Sequence, residues 1–195
     1  MTLLDTPTTE SPFGTVPAAM VVVVPYVDGM LHPSVLPAID TAITHLIGVT
    51  RASIIPVQLI TGDDESYWDL LNLAWGDTTS YGADLVIVEQ DVEIPPNALN
   101  DFAHCPEPWC SNPYDCASML NVLALGCTRF SLGLRLACPL LPQEVVGYRD
   151  NSHLPPKHWK RLDTRIAGVL RGENYQYTCH AHNPAAIHHH PYRVP

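Results

Sequence analysis

Three apolar segments alternate with two amphipathic ones along the first half of the chain. "AMVVVVP", Ala19 to Pro25, is a continuous β-branched run, the pattern of a parallel strand covered on both faces. Val35, Leu36, Ile39, Ile43, Leu46 and Ile47 then recur at helical spacing. Ser34 is placed to cap that helix, and Pro37 falls in its tolerant first turn. "SIIPVQLI" reads as a second strand, with Pro56 near its start or on a sheet edge. Trp68, Leu71 and Trp75 mark a second helix, and Leu85 to Val88 a third strand. A β-α-β-α-β order of this kind implies right-handed crossovers and an open parallel sheet.

Beyond Asp91 the pattern changes. Asn97 to Ala103 reads as a short helix, and "HCPEPWCSNPY" as a loop rich in proline and aromatics. "MLNVLALGCTRFSLGLRL" predicts two strands joined near Gly126 to Arg129. A polar loop from Gly147 to Pro156 leads to a helix whose Trp159, Leu162, Ile166, Val169 and Leu170 face inward. "YQYTCHAH" predicts a closing strand, followed by the tail "NPAAIHHHPYRVP". The expectation is one α/β domain over 19–195, an α/β/α sandwich around a mostly parallel central sheet. Residues 1–18, rich in Thr, Ser and Pro, are expected to form a flexible arm.

Composition narrows the function classes. A chain of 195 residues with 46% apolar content can bury a substantial core. No run approaches the ~18 apolar residues of a membrane span. The N-terminus lacks a basic region followed by a long apolar one, so a cytoplasmic protein is expected. The formal charge of −10 opposes an extended grip on nucleic acid or anionic membrane, and a nucleic-acid acceptor is not favoured. Six cysteines without a C-x-x-C pair argue against a zinc ribbon. Reduced, mostly buried thiols are expected, with a disulfide among Cys105, Cys110 and Cys116 as the alternative.

In a doubly wound sheet, ligands bind beyond the carboxyl ends of the strands. Three such ends are polar: Tyr26 to Asp28, Asp63 to Glu65, and Glu89 to Asp91. Turn and cap chemistry accounts equally well for "GDDE". In "EQD", by contrast, Glu89 and Asp91 alternate on one strand tip, a donor set suited to a hard divalent cation. In "YQYTCHAHN", His180 and His182 share one strand face with Thr178, and His188, His189 and His190 follow. These histidines fit a metal site; a purification remnant is the alternative, although no tag is complete. Asp163 lies one turn beyond Trp159, either as a solvated charge paired with Lys160 or Arg165 or as a general base beside an aromatic wall.

In order and spacing these elements resemble a GT-A-type nucleotide-sugar glycosyltransferase of the inverting family-2 pattern, over roughly residues 19 to 190. The resemblance is carried by "VPY", "TGDD", "AWGDTTSYGADLVIVEQD", "HWKRLDTRI" and "CHAHNP". It implies a GT-A (Rossmann-like) fold, a UDP-sugar or related nucleotide-diphosphate sugar as donor, and Mn²⁺ or Mg²⁺ as cofactor. Pro25, Tyr26, Asp63, Glu89 and Gln90 would then hold the donor, with Asp63 at the base. Asp91 and the tail's His182 would hold the metal; His180 is the reserve, and His188 or His190 serve if the tail folds back. Asp163 would be the catalytic base, with Asp150 or Glu144 next in line, and Trp109 or Trp159 could offer an apolar face. The pattern departs from the family in two places. The first acid of the D-x-D position is Glu89, and the E-D pair before the base reads Leu162-Asp163. Two other readings stay open, a metal-dependent nucleotidyltransferase and a non-catalytic metal-binding protein. "VPYVDGMLHP" has no Lys or Arg to grip phosphates, which weighs against the nucleotidyltransferase.

Overall fold

The computed structural model describes residues 19–49, 51–116, 119–122 and 125–189. The expected arm, 1–18, and the tail from His190 onward lie outside the described residues. The chain begins with strand β1 (Ala19–Tyr26), helix α1 (Val35–Thr44), β2 (Arg51–Gln58), α2 (Ser66–Ser80) and β3 (Asp84–Val88), the predicted alternation. Then follow β4 (Val92–Glu93), α3 (Ala98–His104), β5 (Trp109–Ser111), β6 (Tyr114–Cys116), β7 (Met119–Val122) and β8 (Cys127–Phe130). Helices α4 (Leu132–Ala137) and α5 (Leu141–Gly147) come next, then a 3₁₀ turn (Trp159–Arg161) and α6 (Leu162–Arg171). Two short strands end the described chain, β9 (His180–Ala181) and β10 (Ile187–His188).

The central sheet has six strands in the order β2-β1-β3-β8-β5-β9. Strand β1 pairs in parallel with β2 and β3, β8 runs antiparallel between β3 and β5, and β9 is parallel to β5. The sheet is therefore mixed and mostly parallel, with β8 alone reversed. Alternate residues of β1 feed two cores, as its unbroken apolar run demands. Val21 and Val23 face α2, α5 and α6, while Val22 and Val24 face α1 and α3. Pro56 causes no conflict because β2 is an edge strand with a half-exposed face.

Two buried polar networks tie the elements together, although Arg135 Nε, Glu144 Oε2 and His182 Nε2 are buried without a hydrogen-bond partner. Asp84 Oδ2 accepts from Arg129 Nε at 2.6 Å and its Oδ1 accepts from the Leu132 N–H at 2.7 Å, tying β3 to β8 and to the start of α4. Arg135 donates to Thr78 Oγ1 and to the Ala83 carbonyl, which locks α4 onto α2. Five cysteines (Cys105, Cys110, Cys127, Cys138 and Cys179) are free thiols, as expected, and all but Cys179 are buried. Among the described residues, no helix is long and apolar enough to cross a membrane.

Several local expectations are corrected. The segment expected as a loop, "HCPEPWCSNPY", contains strand β5, and the junction expected near Gly126 to Arg129 is strand β8. "SLGLRL" is helix α4 rather than strand, because Ser131 caps it, its side chain accepting from the Leu134 N–H at 3.1 Å. The strand expected through "YQYTCHAH" contracts to His180–Ala181, since Gln176 sits at φ 57 and interrupts the extended run. Helix α1 stops at Thr44, leaving Ile47 exposed, and Ser34 makes no cap bond. Its hydroxyl instead lies 2.8 Å from His32 Nδ1 and 3.3 Å from His189 Nε2.

Candidate active site

The carboxyl ends of β1, β2 and β3 open onto a cavity of about 450 Å³. Pro25, Asp63, Glu89, Asp91, Trp159 and His188 are among the residues that line it. Among the described residues, none of the side chains on its wall is Lys or Arg. The wall carries the carboxylates of Asp63, Asp64, Glu89 and Asp91.

The tip of β3 is held open by its neighbours. The Gln90 side-chain oxygen accepts from the Val27 N–H at 2.6 Å, and its carbonyl accepts from the His32 N–H at 2.8 Å. Gln90 therefore fixes the loop after β1 against the end of β3, in addition to lining the cavity. Glu89 Oε1 accepts from the Tyr67 hydroxyl at 2.9 Å. Burial pushes the Glu89 carboxyl up to about 7; the charges of Asp91 and Asp163 add to this, and the Tyr67 bond opposes it.

Asp91 meets a histidine from the tail, and it is His188. After β3 the chain turns into β4, and β10 pairs with β4 antiparallel, setting His188 opposite Val92 and Ile187 opposite Glu93. His188 Nε2 then stands 3.3 Å from Asp91 Oδ2. His189 fixes the same return: its N–H donates to the Asp91 carbonyl at 2.8 Å, and its Nε2 lies 3.0 Å from Glu93 Oε2. Its ring also stacks on His32 at 3.8 Å. Two of the three consecutive histidines are therefore integral to the fold. The third, His190, lies outside the described residues. His182 does not join Asp91; it stands beside Cys105 and His180, and none of these three lines the cavity. The H-x-H spacing marked a real cluster, but the pairing of β10 with β4 delivers a different imidazole to β3.

The opposite wall takes Trp159 from the 3₁₀ turn; Asp163, in the first turn of α6, is not among the lining residues. Asp64 Oδ1 accepts from Trp159 Nε1 at 3.1 Å, which pins the half-exposed indole at the cavity. Asp63, also on the wall, accepts from the Glu65 N–H at 2.9 Å. Trp109 belongs to the core instead, with its N–H on Thr128 Oγ1 at 3.2 Å. Asp163 sits in the first turn of α6 and is close enough to raise both Glu89 and Tyr67. Its expected partner Arg165 is engaged by Asp150 at 3.1 Å, and Arg161 joins them at 3.1 Å. Those arginines hold the Asp150 carboxyl well below its usual range despite partial desolvation. Glu144 accepts from the Tyr175 hydroxyl at 3.0 Å, so both reserve candidates for the base have structural partners. Tyr26 ends β1, its carbonyl accepting from the Leu59 N–H at 2.7 Å, and it does not line the cavity.

The His188 imidazole and the Asp91 carboxylate stand 3.3 Å apart, and about 3 Å is the spacing of two ligands on one small divalent ion. The pair opens on a cavity with room for water and substrate oxygens. Carboxylate plus imidazole suits Mn²⁺ better than Mg²⁺, which favours oxygen alone. Tyr67 and Tyr114 also line the site, and Tyr114 lies 5.2 Å from the His188 ring. Neither was legible in the sequence, because both arrive from packing rather than from a motif.

No protein-family model matches the chain, and neither does any curated protein. A solved structure similar to it is that of a glycosyltransferase involved in the glycosylation of the major capsid of PBCV-1. The likeness covers 90% of this chain and 96% of that one, at a TM-score of 0.48 and 9% sequence identity.

Proposed function

We propose that the chain is a GT-A-type glycosyltransferase that moves a sugar from a nucleotide-diphosphate sugar, a UDP-sugar first among them, to an acceptor hydroxyl. The observation that carries this reading is the Asp91–His188 pair at the mouth of an acidic cavity without Lys or Arg on its described wall. A cation would offset the repulsion between this wall and a diphosphate, and Asp91 and His188 are the residues that would hold one. A divalent ion there, Mn²⁺ or Mg²⁺, would supply the positive charge that stabilises the departing diphosphate.

The remaining roles fall to this chain's own side chains. Trp159, anchored by Asp64, offers an apolar face to the donor's base or sugar, and Asp63 a carboxylate to the base. Glu89, which Tyr67 orients, faces the ribose or sugar hydroxyls. Asp163 takes the proton of the acceptor hydroxyl as its oxygen attacks the anomeric carbon. The bond from that carbon to the diphosphate oxygen breaks, the nucleoside diphosphate leaves, and configuration inverts. Positioning dominates, since the transition state resembles an oxocarbenium ion.

A screen of nucleoside diphosphates and sugar nucleotides by thermal shift, with and without Mn²⁺, tests the reading. A ligand at 100 times its dissociation constant adds about 2.7 kcal/mol of stability. Mn²⁺-dependent stabilisation by UDP or another nucleoside diphosphate is expected, with release of that nucleoside diphosphate on turnover. Release of pyrophosphate would point to nucleotidyl transfer instead, and absence of any nucleotide effect to a non-catalytic protein.

A further inference from the structure

A second cluster of metal-binding side chains lies apart from the cavity. Cys105 ends α3, and Cys110 lies in β5. Strand β9 pairs with β5 in parallel, setting His180 directly beside Cys110, and the His182 N–H donates to the Ser111 carbonyl at 2.9 Å. This register brings one ligand atom from each of Cys105, His180 and His182 within 4.8 Å of one another. The two imidazoles meet edge to face at 4.8 Å, and Phe102 walls off His182 at 5.6 Å. His182 Nε2 is buried and has no hydrogen-bond partner within the protein, an arrangement that an added ligand bond would resolve.

We propose that Cys105, His180 and His182 form a zinc site that fastens β9 to the sheet. A thiolate and two imidazoles are a borderline-soft donor set, which selects Zn²⁺ over Mn²⁺ or Mg²⁺. Tetrahedral zinc, with Zn–S about 2.3 Å and Zn–N about 2.0 Å, spaces its ligands about 3.5 Å apart. From separations within 4.8 Å, the ligand atoms would have to close by up to about 1 Å to reach that spacing. Cys105 is buried and His180 exposed, so the site has an inner wall and a solvent side from which water can complete the coordination. Cys110 is the supporting neighbour. Complete burial pushes its thiol well above the usual range, and its Sγ lies 4.0 Å from Arg129 Nη1.

The consequence concerns the tail. Strand β9 has only two residues, on the sheet edge, and the chain between it and β10 must return His188 to Asp91. A zinc ion joining β9 to the end of α3 fixes where that return begins. It is chemically distinct from the pair at the cavity, and it stands whether or not the proposed transfer reaction does.

Cobalt substitution tests it on the full chain, reduced and freed of metal. Titration with Co²⁺ alone is expected to produce a thiolate-to-cobalt charge-transfer band saturating at one equivalent, which Zn²⁺ then displaces. Cys105→Ser should abolish the band. His180→Ala, at an exposed position that should not disturb folding, should weaken Co²⁺ affinity at least about tenfold with an unchanged circular dichroism spectrum. Asp91→Asn should keep the band, which separates this site from the cavity. A wild-type protein without the band, a Cys105→Ser or His180→Ala protein that binds as wild type, or a Cys105–Cys110 disulfide in the freshly isolated protein overturns the proposal. If Cys105→Ser fails to fold, His180→Ala decides.

Discussion

The Tyr67 hydroxyl donates to Glu89 Oε1 at 2.9 Å, joining the first turn of α2 to the tip of β3. Burial of that contact raises both groups. Tyr67 is pushed well above its usual range, so it stays a donor, and Glu89 rises to about 7. A carboxyl that titrates near neutrality at a strand tip makes the free protein's stability depend on pH.

The sign follows from proton counting. Folded Glu89 binds its proton more tightly than the ordinary carboxyl at 4.5. Between those two values the folded state holds the extra proton, so this contribution is full below 4.5 and is lost as pH rises through about 7. The full span corresponds to about 3 kcal/mol. Glu89→Gln keeps an acceptor for Tyr67 and removes the titration. Urea unfolding in the presence of a chelator at about pH 5 and about pH 8 should show a smaller loss in the variant. Equal losses in the two proteins would rule this assignment out.

The metal pair gives the second prediction. Asp91→Asn and His188→Ala should each weaken Mn²⁺-dependent UDP binding by at least about tenfold, while His182→Ala should leave it near wild type. Calorimetry with UDP at fixed Mn²⁺ reads all three. Loss of binding in His182→Ala with retention in His188→Ala would reverse the assignment.

Asp163 is tested by separating binding from transfer. Asp163→Asn should bind donor and metal with near-normal affinity, because those contacts lie on the strand tips and the tail. Single-turnover transfer should fall by about 10²–10⁴-fold, the usual worth of a positioned general base. Wild-type transfer by this variant would make Asp163 a surface charge.

The last prediction is purely structural. Asp84 and Arg129 are both almost fully buried and lie 2.6 Å apart. Asp84→Ala would leave the guanidinium without its countercharge and the Leu132 N–H without its acceptor. A loss of about 3–5 kcal/mol is expected in urea unfolding. A loss below about 1 kcal/mol would mean that Arg129 finds another partner.

Some of this was decided by local sequence. The valine run of β1 suits a strand buried on both faces, and the i, i+3, i+4 apolar spacing of α1, α2 and α6 suits helices against that sheet. Their alternation dictated the layered fold, and the acids at Asp63, Glu89 and Asp91 fall at strand ends because the apolar runs stop there. Elsewhere short-range patterns were too weak. "SLGLRL" has enough apolar residues for a strand, and only the bond from Ser131 to the Leu134 N–H and the burial of Arg135 against α2 make it a helix. The tail histidines show the limit most clearly. Spacing could place His180 and His182 on one face, but a residue's distance to Asp91 depends on which strands pair. The pairing of β10 with β4 is a long-range backbone contact of two residues per strand, with no periodic signature to announce it. That contact, and the pairing of β9 with β5, sent His188 to the acidic strand tip and His182 to the thiol of Cys105.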